Sequence, residues 1–407
     1  MKNCHLPLRS LLAIAVICAS SFGTLYATEP ETPVTVSGPF EHKNLAVYLI
    51  HGDDKVPANI EIRTLDEAMT SKVTAVKETG SVNSLTIKNS HKTDYVFVLP
   101  GDIVKGGKQD RTLPNGFLLT PRSGDIPVDS FCVEQGRWAK RSGESLAQFS
   151  GSKKALAGKN MKLASKLSRT QGKVWSNVAK SQTKLSEKVG KDVKSNASAS
   201  SFQLTLENKD LAKSIAEYTA QINSDANPEV PNAIGMAFAI NGEFNSADIF
   251  ADAELFEKLW PKLLESAATE AVGDFEKEQT NLPSAPKPAD LLKTLNQVES
   301  DKPVTEKVAG GNQLIRHEKA GSITFDTRGK IEDSEVRIHR NILAVSEAEL
   351  AEFKKPASNT LNRQLSNQNN RLQVRGEPVP QMKAEPAPKK AKPGILKRIF
   401  GNKRDAC

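Results

Sequence analysis

LAVYLIHG (Leu45 to Gly52) is an unbroken apolar run, NIEIRTL (Asn59 to Leu65) alternates at Ile60 and Ile62, and VNSLTIKN (Val82 to Asn89) alternates at Leu85 and Ile87. Alternation with a period of two marks a half-buried strand, and a short apolar run marks a strand buried on both faces. DYVFVL (Asp94 to Leu99), GFLLT (Gly116 to Thr120) and VDSFCVE (Val128 to Glu134) follow in the same style. Only TLDEAMTSK interrupts them, a short helix with Thr64 as N-cap and Glu67 as its capping-box partner. Many short strands around one short helix predict a mostly antiparallel sheet in the N-terminal part of an α+β fold.

After Trp138 the composition shifts to Ser, Gly, Ala and Lys. From Asn160 a repeat of eleven residues runs NMKLASKLSRT, QGKVWSNVAKS, QTKLSEKVGKD. Eleven residues make three helical turns, so Leu163, Val174 and Leu185 fall on one apolar stripe with Leu167, Val178 and Val189. A long basic helix over about 153–194 is expected, its stripe packed and its lysines solvated; the alternative is a helix lying on anionic lipid or a polyanion. A second helix is expected within 202–222. AIGMAFAINGEF (Ala233 to Phe244) reads as a buried strand pair turning at Asn241-Gly242. A helix from about Ala253 to Val272, kinked near Trp260-Pro261, and late strands at Ile323 to Asp326 and Val336 to Ile342 complete one domain over 28–345.

The first 27 residues carry Lys2 and Arg9, an apolar run from Leu11 to Ala19 and small residues ending at Ala27, the layout of an export signal cleaved near Ala27. No apolar run is long enough to span a bilayer. Of four cysteines, Cys4 and Cys18 lie in that leader, which leaves Cys132 and Cys407 and no disulfide framework. A bond between those two is not expected. The formal net charge is +8. The leader accounts for +2 and residues 383–407 for +6, so the body between them is neutral, although 151–194 alone carries +10. That balance argues against a nucleic-acid binder. Residues 346–407 are expected to be a disordered basic tail. Within it Ile395, Leu396, Lys397, Arg398, Ile399 and Phe400 have the spacing of a short amphipathic membrane contact.

The densest polar cluster lies in GDIVKGGKQDR (Gly101 to Arg111) and FCVEQGRW (Phe131 to Trp138). If Phe131 and Val133 face the core, Cys132 and Glu134 share the opposite face. Lys108, Gln109, Arg111, Glu134, Arg137 and Trp138 are the candidate ligand-binding residues. Glu134, Asp110 and Cys132 are the catalytic candidates. Cys132 lacks a histidine placed to activate it. The histidines have no metal-ligand spacing, GDIVKGGK is not a phosphate-binding loop of the Walker type, and no metal or cofactor is implied.

These stretches resemble a known family. GPFEHKNLAVY (Gly38 to Tyr48), TLDEA (Thr64 to Ala68), GGKQDR, CVEQGRW, QGKVW (Gln171 to Trp175), AFAINGEFNSADIF (Ala237 to Phe250) and LFEKLWPKLLESAATEA (Leu255 to Ala271) are similar, in this order, to a bacterial domain named for its genomic association with ADP-ribosylglycohydrolases and rhodanese-phosphatases. The resemblance covers most of 36–345 and implies an α+β fold. Through the genomic association alone it implies a link to ADP-ribose or phosphate chemistry. Two functions are therefore expected. One is an exported accessory protein that recognises an anionic small molecule or an envelope component through Lys108, Arg111 and Arg137. The alternative is a hydrolase or transferase on a phosphate-containing or ADP-ribose-like substrate, with Glu134 or Asp110 as base and the two arginines clamping the anion.

Overall fold

The computed structural model describes residues 33–355 apart from 82, 138, 155–157 and 277–281. The leader, the tail with Ile395 to Phe400, Cys407 and Trp138 lie outside the described residues.

The chain opens with β1 (Thr35–His42) and β2 (Leu45–His51). There follow β3 (Ile62–Thr64), α1 (Leu65–Thr70), β4 (Thr74–Glu78), β5 (Ser84–Asn89), β6 (Tyr95–Val98), β7 (Ile103–Gly106), β8 (Arg111–Thr112), β9 (Phe117–Leu119), β10 (Gly124–Asp129), β11 (Phe131–Cys132) and β12 (Phe149–Gly151). Next come α2 (Lys159–Leu163), a π-helical turn (Ala164–Ser168), α3 (Gln171–Val189), α4 (Phe202–Leu206) and α5 (Lys209–Asp225). The last part holds β13 (Ala233–Ile240), β14 (Glu243–Phe250), α6 (Ala253–Asp274), α7 (Pro288–Asn296), β15 (Val304–Lys307), β16 (Gln313–Lys319), β17 (Ser322–Ile331), β18 (Ser334–Ala344) and α8 (Glu347–Lys354).

The fold is α+β. Its main sheet has eight antiparallel strands in the order β1-β2-β13-β14-β18-β17-β16-β15, so the first hairpin pairs with strands from the far half of the chain. The remaining N-terminal strands form three smaller sheets, antiparallel except where β3 runs parallel to β6. The expected capping box is present: Glu67 N donates to Thr64 Oγ1, and Thr64 N donates to Glu67 Oε2. The β13–β14 hairpin turns where expected, with φ of 53° at Asn241 and 78° at Gly242, the left-handed pair that a tight hairpin demands.

Alternation gives the main sheet two apolar faces. On one, Leu45, Val47, Leu49, Met236, Phe238 and Phe250 pack beneath Leu255, Phe256, Leu259, Leu263 and Ala267 of α6, with Ile215 and Ile222 of α5 alongside. On the other, Tyr48, Ile50, Ala237 and Ile342 meet Leu291 and Leu295 of α7. Burying each large apolar side chain contributes about 1.5–3 kcal/mol, which fixes the register of these strands. Helix α6 runs from Ala253 to Asp274 with Pro261 inside it.

The eleven-residue repeat does not form one helix. Its first copy lies in α2 and the π-turn, which ends at Arg169 with a left-handed φ of 49°; α3 then starts afresh after the extended Thr170. Accordingly Leu163 packs with Ile323, Phe325 and Leu343, while Leu185 belongs to the core beneath α6. Two lysines of the supposedly solvated face, Lys162 and Lys166, are buried. The region expected to be a single helix within 202–222 is likewise divided, because Asn208 caps a new start at Lys209.

Candidate functional site

The stretch from Gly101 to Glu144 folds as a knot of charge. Gly106 and Gly107, with φ of 123° and 57°, turn the chain after β7, and a Cβ on Gly107 would lie 2.5 Å from Phe149. Asp110 then points inward. Its Oδ1 accepts from Gly106 N at 3.0 Å and Arg141 Nη2 at 2.6 Å, and its Oδ2 accepts from Ser201 Oγ at 2.9 Å. Glu134 Oε2 accepts from Asp110 N at 3.0 Å, and Glu134 Oε1 from Arg137 Nε at 2.7 Å. Arg137 also donates to the carbonyls of Gly106, Gly107 and Ala139. Arg111 Nη2 donates to Glu78 Oε1, which accepts from Lys108 N as well. Gln109 is buried and Lys108 is half-buried.

Asp110, Arg111, Glu134 and Arg137 are thus brought together, but the two guanidiniums meet acceptors within the stretch and Glu78 at the end of β4. Four carboxylates (Glu78, Asp110, Glu134, Glu144) face three guanidiniums (Arg111, Arg137, Arg141) within ion-pair distance. Such a knot carries no excess of positive charge for an incoming anion. The two central carboxyls are drawn apart: burial and the charge of Glu134 push Asp110 up, whereas Glu134, though also buried, is held down by bonds from Arg137 and Ser198. β11 ends at Cys132, so strand alternation does not carry on to Glu134. Both residues are buried, Glu134 against Arg137 and Arg141, and Cys132 beneath Gln171, which clasps its backbone from the start of α3. Cys132 is fully buried, so its sulfur is closed to a substrate from outside.

A second charged cluster lies on the main sheet. Cross-strand register places Asp248 of β14 opposite Asn341 of β18, and Phe250 opposite His339; Asn341 and His339 in turn oppose Phe325 and Thr327 of β17. All share the face covered by α6 and the π-turn. Asp248 Oδ1 accepts from Asn341 Nδ2 at 2.9 Å and pairs with His339 Nε2 at 2.8 Å. Above this row stand Lys162 and Lys166, one helical turn apart and buried. Lys166 Nζ lies 4.0 Å from the centroid of the Phe325 ring and has no hydrogen-bond partner among the described residues. The Nδ1 of His339 lacks one too. Burial first, then the charge of Lys162, push the Lys166 ammonium down to about 7. Burial also lowers His339, and Asp248, buried as it is, is held down chiefly by the charge of Lys162 and its bond with His339. A cavity of about 10 Å³ adjoins the cluster, with room for roughly one water. Its lining includes Lys162, Asp248 and Ser246, and its rim the half-buried Lys159 and Glu270.

The family model of the ARG and Rhodanese-Phosphatase-superfamily-associated Protein domain, ARPP-1, matches residues 33–346. The chain belongs to that family. No curated protein and no solved structure matches it. Both charged clusters fall within the ARPP-1 span. Among the described residues no group of three or more His, Cys, Asp and Glu could hold a metal ion, and no helix is long and apolar enough to cross a membrane.

Sequence reasoning passed over the second cluster of this ARPP-1 domain. It counted Lys162 and Lys166 as solvated charges of a repeat and His339 as a histidine without metal spacing. A signal was present: in RIHRNILA (Arg337 to Ala344) alternation sets His339, Asn341 and Leu343 on one face, and in FNSADIF (Phe244 to Phe250) it sets Ser246 and Asp248 beside Phe250. Polar residues on the core face of two apolar strands are costly unless partnered, and that cost marks them.

Proposed function

We propose that this ARPP-1 domain is a binding protein for a small anionic ligand, held by Lys162 and Lys166 over the Asp248–His339–Asn341 row. The observation that carries this reading is the Lys166 ammonium, buried without an acceptor. Desolvating an ammonium costs several kcal/mol, and two buried lysines beside one carboxylate leave a positive excess that an anion would neutralise. The arginines of the loop knot have no such excess, so they serve the fold in this reading. The export signal expected over 1–27 would place the ligand outside the cytoplasm. The basic segment around Ile395 to Phe400 would add a peripheral contact with an anionic envelope surface.

Thermal-shift measurements with small inorganic anions, phosphate and sulfate among them, test the site. Ligand binding raises the melting temperature by mass action. Lys166→Met should abolish the shift, and Lys108→Ala should leave it intact. A shift that survives Lys166→Met, or no shift with any anion, overturns the assignment.

A further inference from the structure

We infer that the groove between β10 and the outer edge of β15 seats a segment of the chain's own C-terminal part, Arg371 to Gly376, in extended form. The groove holds about 300 Å³ and is lined by Phe117, Ile126, Pro127, Asp129, Lys307 and Val308, among others. Its floor is apolar: Ile126 and Val308 are half-buried and pack with the core of the small sheets. β15 ends the order of the main sheet, so its outer edge has no strand beside it among the described residues. Such an edge is a template for an extended segment. Val304, at its start, is 42% exposed, one of two large apolar side chains left in the open among the described residues. β10 serves as the opposite wall, being a poorer template because Pro127 within it has no N–H to donate.

The path of the chain identifies the occupant. Leu350 and Phe353 of α8 pack in the same cluster as Leu314, Phe325 and Val308. Ser168 Oγ donates to the carbonyl of Phe353, and the next residue, Arg169, reaches Glu306 of β15 at 3.0 Å and Asp129 of β10 at 3.5 Å. The chain therefore leaves the described structure at Lys355 beside the mouth of the groove. From there to Arg371 is 16 residues, ample at about 3.3–3.6 Å per extended residue. In RLQVRG (Arg371 to Gly376), Leu372 and Val374 alternate with Arg371, Gln373 and Arg375, the pattern of a strand with one apolar face. That face covers the floor, while Arg371 and Arg375 turn outward to Asp129 and Glu306, and Glu377 answers Lys307. β15 is only 4 residues long, a small contact on which to join two copies. A tethered segment needs less, because a flexible link supplies an effective concentration of about millimolar. With Gly376 held, the run to the expected membrane contact at Ile395 shortens from 40 residues, counted from Lys355, to 19. The domain would then stand closer to an anionic surface.

The full chain carrying Val304→p-benzoylphenylalanine, irradiated and digested, should show cross-links to 371–376 within one chain, at a yield that dilution does not change. Leu372→Asp combined with Val374→Asp lies outside the described fold, so the melting temperature should stay near that of the wild type. The cross-link should fall at least about tenfold, since two carboxylates would be pressed onto an apolar floor. Hydrogen exchange of the unlabelled full chain should be slower over 371–376 than over 361–366, and the double substitution should erase the difference. Cross-links spread along the tail and indifferent to that substitution, or equal exchange in the two stretches, overturn the proposal. Cross-links between chains that fade on dilution overturn it in favour of a second copy at this edge.

Discussion

The ammonium of Lys166 stands over the ring of Phe325, 4.0 Å from its centroid, with no acceptor among the described residues. A cation held this way draws on the ring's quadrupole, but that attraction is smaller than the cost of dehydrating it. Lys166→Met should therefore raise the stability of the ligand-free protein by about 1–4 kcal/mol, the range seen when buried charge gives way to apolar side chains. Urea denaturation at pH 7 checks this. A destabilised variant would mean that the ammonium is compensated within the fold.

The same lysine should impose a pH dependence on stability. Below about pH 7 it is protonated in both folded and unfolded chains, and the burial penalty is fully present. Between about 7 and 10.5 the unfolded chain holds a proton that the folded one has released, so stability rises with pH across that window. The difference between wild type and Lys166→Met, followed through the window by denaturant titration, should shrink steadily as pH increases. A constant difference would refute the lowered affinity for the proton.

Asp248 is the carboxylate that offsets the two lysines. Asp248→Asn keeps the shape and removes the charge, and should cost about 3–5 kcal/mol at pH 7. Part of that loss should return at pH 9, where Lys166 is neutral. Calorimetry at the two pH values separates this electrostatic loss from a packing loss, which would be the same at both.

In the loop knot, Arg137→Ala removes the nearer cation from the fully buried Glu134 and leaves it Arg141 at 3.6 Å. Losing the closer partner of a buried carboxylate should cost up to about 3–5 kcal/mol. Lys should not substitute for it, because a single ammonium cannot reach Glu134 and three carbonyls at once. Chemical denaturation of both variants, with anion-induced thermal shifts measured beside it, should show lost stability and an unchanged response to phosphate.

At the β13–β14 turn, Gly242 has a φ of 78°, and an added Cβ would come within 2.6 Å of Pro283. Gly242→Val should destabilise by more than about 1 kcal/mol through strain at positive φ and this clash. Its melting temperature, compared with that of Gly80→Val, where nothing lies within 4 Å of the added carbon, isolates the contribution of the clash.

Local features were legible in the sequence wherever the decisive physics is local. The Asn241-Gly242 turn, the Thr64–Glu67 capping box and the period-two strands each depend on residues within a few positions of one another. Which face of a strand meets protein and which meets water depends on a second layer that no short pattern encodes. Hence Cys132 and Glu134 could be placed together on one face without any sign that β11 stops at Cys132, or that Gln171, Arg137 and Arg141 close over them. Lys162 and Lys166 show the same limit from the other side. Their repeat matched a helix period, but the left-handed turn at Arg169 rotates the first copy onto the sheet, and its cations with it.

The pairing of Leu49 in β2 with Met236 in β13 bears on how the molecule comes into being. A chain growing from its N-terminus carries the first hairpin through most of its synthesis with one edge unpaired, and such long-range closures are slow. Fragments ending before Ala233 would keep that edge open, a template for joining other chains. Trimming the protein from its C-terminal side should accordingly yield aggregates rather than smaller working pieces.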